Sequence, residues 1–159
     1  MHLKAILAIG GAMVLTSCGE AGPEALPYGP VQQMMAEEVQ PTSEIYWNSV
    51  RFESELVDGE VVERDIRPES DEDWEEIRQA AAHLGELGTV LGGPYAEGRG
   101  EDWKDFSKGL VDAAALAEKA AVDKDPDAVF EVGGTVYNVC KACHQMYPPE
   151  NMPEEAAEG

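Results

Sequence analysis

Asn138-Val-Cys-Lys-Ala-Cys-His-Gln-Met-Tyr147 sets two thiols three positions apart and an imidazole directly after the second, close to the C-terminus of the chain. On an α-helix, positions i, i+3 and i+4 share a face, so Cys140, Cys143 and His144 stand together only if this stretch is helical. The flanking sequence favours that. Val129, Phe130, Gly133, Val136, Tyr137, Cys140, Cys143, His144 and Tyr147 recur at steps of three and four, the period of a helix with one apolar face. Asp125 suits the N-cap and Pro126 the first helical position. Pro148-Pro149 stops the helix.

The chain has three cysteines, Cys18, Cys140 and Cys143. A C-x-x-C-H string is the attachment signature of c-type haem. Two thiols on one helical face can reach two vinyl groups on neighbouring pyrrole rings, and the next imidazole then points at iron. The competing readings are a redox pair, half of a zinc site and a plain disulfide. A thioredoxin-like pair belongs near the start of a βαβ unit, which nothing in the chain supplies. Zinc wants four ligands, and the other histidine beyond the leader is the isolated His83. One covalent haem c on Cys140 and Cys143, with His144 on the iron, is the reading.

Three more helical segments precede this one. Val31, Met35, Val39, Thr42, Tyr46 and Val50 share a face of the first, which Pro41 interrupts with a kink or a restarted turn. Met34 counts onto the face of Glu37 and Glu38, the wet side, and Met35 onto the Val31–Val39 core stripe. Asp58-Gly59 between β-rich arms signals a hairpin, an excursion between helices one and two. Ser70 with Asp73 resembles a capping box and opens the second helix, faced by Trp74, Ile77, Ala81, Leu84, Leu87, Gly88 and Leu91. The third starts near Glu101 and turns Trp103, Phe106, Leu110 and a run of alanines inward. The expectation is an all-α fold, an antiparallel four-helix bundle with a hairpin-like excursion. No nucleophile–base or carboxylate pair stands out, so the reading is not an enzyme.

The N-terminus adds an address. Lys4 precedes an apolar run from Ala5 to Leu15, too short to cross a bilayer and of the kind found in export signals. Leu15-Thr16-Ser17-Cys18 resembles the bacterial lipobox, which implies cleavage before Cys18 and a lipid on its sulfur. Gly19 is not the aspartate of inner-membrane retention, so an outer-membrane anchor facing the periplasm is expected. Residues 1–17 read as signal peptide and 18–30 as a lipidated Gly/Pro-rich tether reaching roughly 20 Å. Residues 31–148 form the haem-binding domain and 149–159 an acidic tail. Eleven Lys plus Arg against 32 Asp plus Glu give a net charge of −21. Such a surface repels phosphate backbones, so nucleic acid is not an expected partner. A basic redox protein is.

A helical domain with Cys140-Lys-Ala-Cys143-His144 on its last helix resembles the class II cytochromes c, the cytochrome c′ family, over roughly residues 31 to 147. Class I cytochromes c carry the same string near their N-terminus. The hairpin and the acidic surface depart from the family pattern. The resemblance implies covalent haem, His144 as proximal ligand and a distal face supplied by the first helix. A methionine there makes a low-spin, six-coordinate electron carrier. An apolar residue makes a high-spin protein that binds small gases such as NO or CO. With the resemblance, Met35 is the expected sixth ligand, although a core gap-filler is the commonest role of a buried methionine. Met34 or an empty position stays open. His83, off the centre of its stripe, is expected to be a partly exposed structural residue. The function expected is single-electron transfer. The rivals are a gas-binding haem protein and a lipoprotein whose C-x-x-C is a structural disulfide. A homodimer paired through the first two helices is left open.

Overall fold

The computed structural model describes residues 26–149. The signal segment, Cys18, most of the tether and nearly all of the acidic tail lie outside the described residues. The fold is mostly helical: α1 (Val31–Met34), a π-helical turn (Met35–Val39), α2 (Gln40–Ser49), α3 (Asp71–Gly92), a 3₁₀ turn (Pro94–Ala96), α4 (Glu101–Val122) and α5 (Pro126–Met146). Strands β1 (Arg51–Val57) and β2 (Glu60–Ile66) form an antiparallel two-stranded sheet, which an all-α description leaves out. Asp58 and Gly59 both take positive φ, 54° and 86°. This left-handed pair matches the twist of a tight hairpin turn.

Segments α1, the π turn and α2 run on without a break, and the π turn explains a register error in the sequence reading. The Gln40 N–H donates to the carbonyl of Met35, five residues back. Pro41, at the start of α2, offers no N–H, and its ring would press on the carbonyl four residues earlier in a regular helix. Widening the preceding turn relieves that contact. The extra residue rotates everything N-terminal to it by about one position. Met34, expected on the wet face, is therefore fully buried, at 0 % exposure, while Met35 is half-buried.

The starts of α3 and α5 follow the sequence. The Ser70 hydroxyl accepts from the Asp73 N–H, and the Asp73 carboxylate accepts from the Ser70 N–H at 2.9 Å, a complete capping box. The Glu69 N–H, which also donates to the Asp73 carboxylate at 2.9 Å, and these Ser70 bonds hold the Asp73 carboxyl below its ordinary range. The Asp125 carboxylate accepts from the N–H groups of Asp127 and Ala128, each at 3.1 Å.

Helix α3 packs along α4, α4 along α5, and α2 against both α3 and α5. Two core clusters result. One gathers Tyr46, Ile77, Ala81, Ala117 and Val129. The other gathers Met34, Leu84, Leu87, Leu91, Trp103 and Val136, with Met35, Cys140 and Tyr147 partly buried against it. Helix α4 turns Ser107 inward, its hydroxyl donating to the Trp103 carbonyl at 2.8 Å, and leaves Phe106 half-buried. Phe130 and Tyr137, expected inside, are each 55 % exposed. They pair edge-on with Phe52 of the hairpin and Trp47 of α2 instead.

The α3–α4 contact depends on a missing side chain. A Cβ on Gly88 would lie 2.9 Å from Val111 Cγ2 and 3.2 Å from both the Ser107 carbonyl and the Val111 nitrogen. Two of those atoms are backbone and cannot rotate away. Gly88→Ala should cost about 1–3 kcal/mol in denaturant unfolding. At Gly134, on α5, a Cβ meets nothing within 4 Å. Gly134→Ala should therefore gain up to about 1 kcal/mol from helix propensity. Equal effects of the two changes would contradict this packing.

Candidate functional site

A cleft opens between the C-terminal half of α5, the N-terminal half of α4, the end of α3 and the π turn. Cys140, Cys143 and His144 line it from α5, and Met35 and Val39 from the π turn opposite. Leu91, Trp103, Phe106 and Leu110 complete an apolar wall. Of the sequence-predicted residues, the structure thus brings together both thiols, the imidazole and Met35. Cys18 lies outside the described residues. Met34 packs into the core beside the cleft without lining it.

The helical spacing dictates this arrangement. Residues 136, 140, 143 and 147 form one stripe of α5: Val136 is buried in the core, Cys140 and Cys143 are half-buried beyond it, and Tyr147 closes the end. The Tyr147 ring meets the Trp103 ring edge-on, with centroids 5.0 Å apart. Trp103 is fixed in turn, its indole N–H donating to the Leu91 carbonyl at 2.7 Å. The Arg99 guanidinium stacks on the same indole, 4.2 Å from its centroid. Sequence reasoning passed over Arg99, which precedes α4 and belongs to no helical stripe.

Cys140 and Cys143 are both free thiols. Burial pushes each above the ordinary thiol range. For Cys143 the negative charge of an ionised Cys140 pushes the same way, and Arg99 partly offsets both. A redox-active C-x-x-C needs a depressed thiol, so these protonated sulfurs are the opposite of an activated pair. Among the described residues, no three His, Cys, Asp or Glu side chains converge closely enough to hold a bare metal ion. The donors share one wall without meeting at a point.

The closed part of the cleft measures about 50 Å³, and the space including its open mouth about 450 Å³. Small-molecule sites commonly span about 300–1,000 Å³. A large planar group therefore fits only by using the mouth and moving rim side chains apart. A roomier groove, about 340 Å³ in its closed part against the cleft's 50 Å³, lies between α2 and α5, bordered by Trp47, Phe130 and Tyr137. It contains no thiol or imidazole and has no comparable chemistry.

His83 stands apart from the cleft. Its Nδ1 lies 3.2 Å from Glu86 and its Nε2 3.6 Å from Glu38, so it bridges α3 to the π turn as a partly exposed residue. Trp47 donates its indole N–H to the Gly133 carbonyl at 3.0 Å, a packing role between α2 and α5. No helix among the described residues is long and apolar enough to cross a membrane.

No protein-family model matches this chain, and neither a curated protein nor a solved structure matches it.

The thiol environment has a measurable consequence. In Cys18→Ala chain carrying free thiols, Cys140 and Cys143 should react with a thiol-specific disulfide reagent more slowly than a small-molecule thiol at pH 8. The rate should climb only above the ordinary thiol range. Because the folded state favours the protonated form, this contribution to stability is complete at neutral pH and is lost as pH rises through the raised values. Reaction faster than the small thiol would mark an activated redox pair and contradict the burial argument.

Proposed function

We propose that the protein is an exported, lipid-anchored monohaem cytochrome of the c type that carries single electrons, built as an antiparallel four-helix bundle. The observation that carries this reading is that Cys140, Cys143, His144 and Met35 line one apolar cleft. The half-buried placement of both thiols beside apolar side chains supports it. The succession of helix contacts, α2 to α3, α3 to α4, α4 to α5 and α5 back to α2, supports the bundle.

When bound, haem supplies an iron centre that gains and loses one electron. Cys140 and Cys143 would hold it through thioether links, each thiol S–H being added across a vinyl C=C so that no oxidant is consumed. His144 would offer its imidazole to the iron from α5, and Met35 its thioether from the π turn. A thioether prefers ferrous iron and raises the reduction potential relative to a second imidazole. Val39, Leu91 and Leu110 keep water from the buried side. The surface charge of −21 steers a basic redox protein into a short-lived complex. Membrane association comes through a lipid on Cys18, with an outer-membrane, periplasm-facing placement.

Met35→Leu tests the ligand set. It conserves volume, so stability should change by less than about 1.5 kcal/mol. The absorption spectrum should turn from low-spin to high-spin, and the ferrous protein should gain CO binding. Met34→Leu, a core change of similar size, should leave the spectrum alone. A low-spin Met35→Leu protein would exclude Met35 as the ligand. An unsubstituted protein that is already high-spin and binds CO would favour a gas-binding haem protein instead.

The anchor is tested separately. Mass spectrometry of the exported protein should find a lipid-modified N-terminal Cys18, and Cys18→Ala should release the domain from membranes with its spectrum unchanged. A mature N-terminus downstream of residue 18 would rule the anchor out.

A further inference from the structure

Among the described residues, every lysine and arginine has a carboxylate oxygen within 4.0 Å except Arg99 and Lys141. In a chain with 32 acidic residues against 11 basic ones, an unpaired cation is an exception that needs a cause. Lys141 is exposed on the surface. Arg99 is half-buried at the rim of the cleft, stacked on Trp103 and donating one N–H to the Tyr95 carbonyl. Arginine carries five such donors in a rigid fork. No other protein acceptor among the described residues takes the remaining ones. The fork is therefore oriented in advance, held on the cleft-lining indole of Trp103, which is itself fixed by its bond to the Leu91 carbonyl.

We propose that Arg99 binds a peripheral carboxylate of the haem. This rests on the haem reading above and deepens it. Haem carries two propionate carboxylates, and a chain with a net charge of −21 would repel them. A planar guanidinium matches a carboxylate through two parallel N–H···O bonds, which a lysine cannot reproduce. Arg99 thus offsets the local repulsion and fixes the in-plane orientation of the group before Cys140 and Cys143 are joined to it. Its freedom from Glu97, Glu101 and Asp102, its acidic neighbours in sequence, leaves the fork available for that contact. It is a binding and positioning residue, separate from the iron ligands.

The test uses full-length chain made without haem attachment, titrated with haem and with haem dimethyl ester, whose carboxylates are masked. Trp103 fluorescence and the haem absorption band report binding. The unsubstituted chain should bind haem about tenfold more tightly than the diester, the value of one charge-assisted contact. Arg99→Gln should bring the two to parity while leaving diester affinity unchanged, which also shows that the variant is folded. Arg99→Lys should recover part of the preference, and Lys141→Gln should keep all of it. A preference that survives Arg99→Gln, or one lost in Lys141→Gln, would overturn the assignment while the haem reading stands. Failure of the unsubstituted chain to bind either compound would overturn both.

Discussion

The five-residue turn at Met35–Val39 is the constraint on which the site depends. Pro41 cannot donate to a carbonyl four residues back, and the helix answers by widening the turn before it. That widening inserts a residue into the inward face. Met34 then fills the core between α3 and α5, and Met35 is left free to line the cleft opposite the thiols. In an unbroken α-helix one of two adjacent methionines faces the core and the other turns about 100° away. The π turn lets one serve packing and its neighbour serve the cleft. Rare in general, such turns occur often at functional positions.

The opposite wall is built with the same economy of means. Helix α3 can approach α4 because Gly88 has no side chain, and that approach brings Leu91 over Trp103. Trp103 in turn supports Tyr147 on one side and Arg99 on the other. Displacing α3 from α4 would thus be felt at the rim of the cleft. Burial raises both thiols above the ordinary range, which disfavours the thiolate form at neutral pH. The cleft is lined mostly by apolar side chains.

Much of this was legible in the sequence because local physics decides it. The hairpin follows from Asp58-Gly59, which tolerates two successive positive φ angles. The start of α3 follows from Ser70 and Asp73, and that of α5 from Asp125 and Pro126. The inward stripe of α3 follows from periodicity alone. Met34 was misplaced because helical counting assumes 100° per residue, and a π turn breaks that count without leaving a signature beyond Pro41. Phe130 and Tyr137 were placed inside because pattern records apolarity and cannot record which neighbour covers it. Phe52 and Trp47 cover them only in part. Arg99 was invisible because its meaning lies in what surrounds it: an indole beneath, no carboxylate near.

The central claim is that Cys140 and Cys143 carry a haem through covalent sulfur links, and the intact mass of the protein matured in a host able to attach haem tests it most directly. After denaturation and acid-acetone extraction, the mature chain should weigh more than its sequence by one haem in addition to any lipid. A chain with both Cys140 and Cys143 changed to Ser should lose that increment alone. A bare-chain mass, or haem that leaves with the solvent, would contradict the claim.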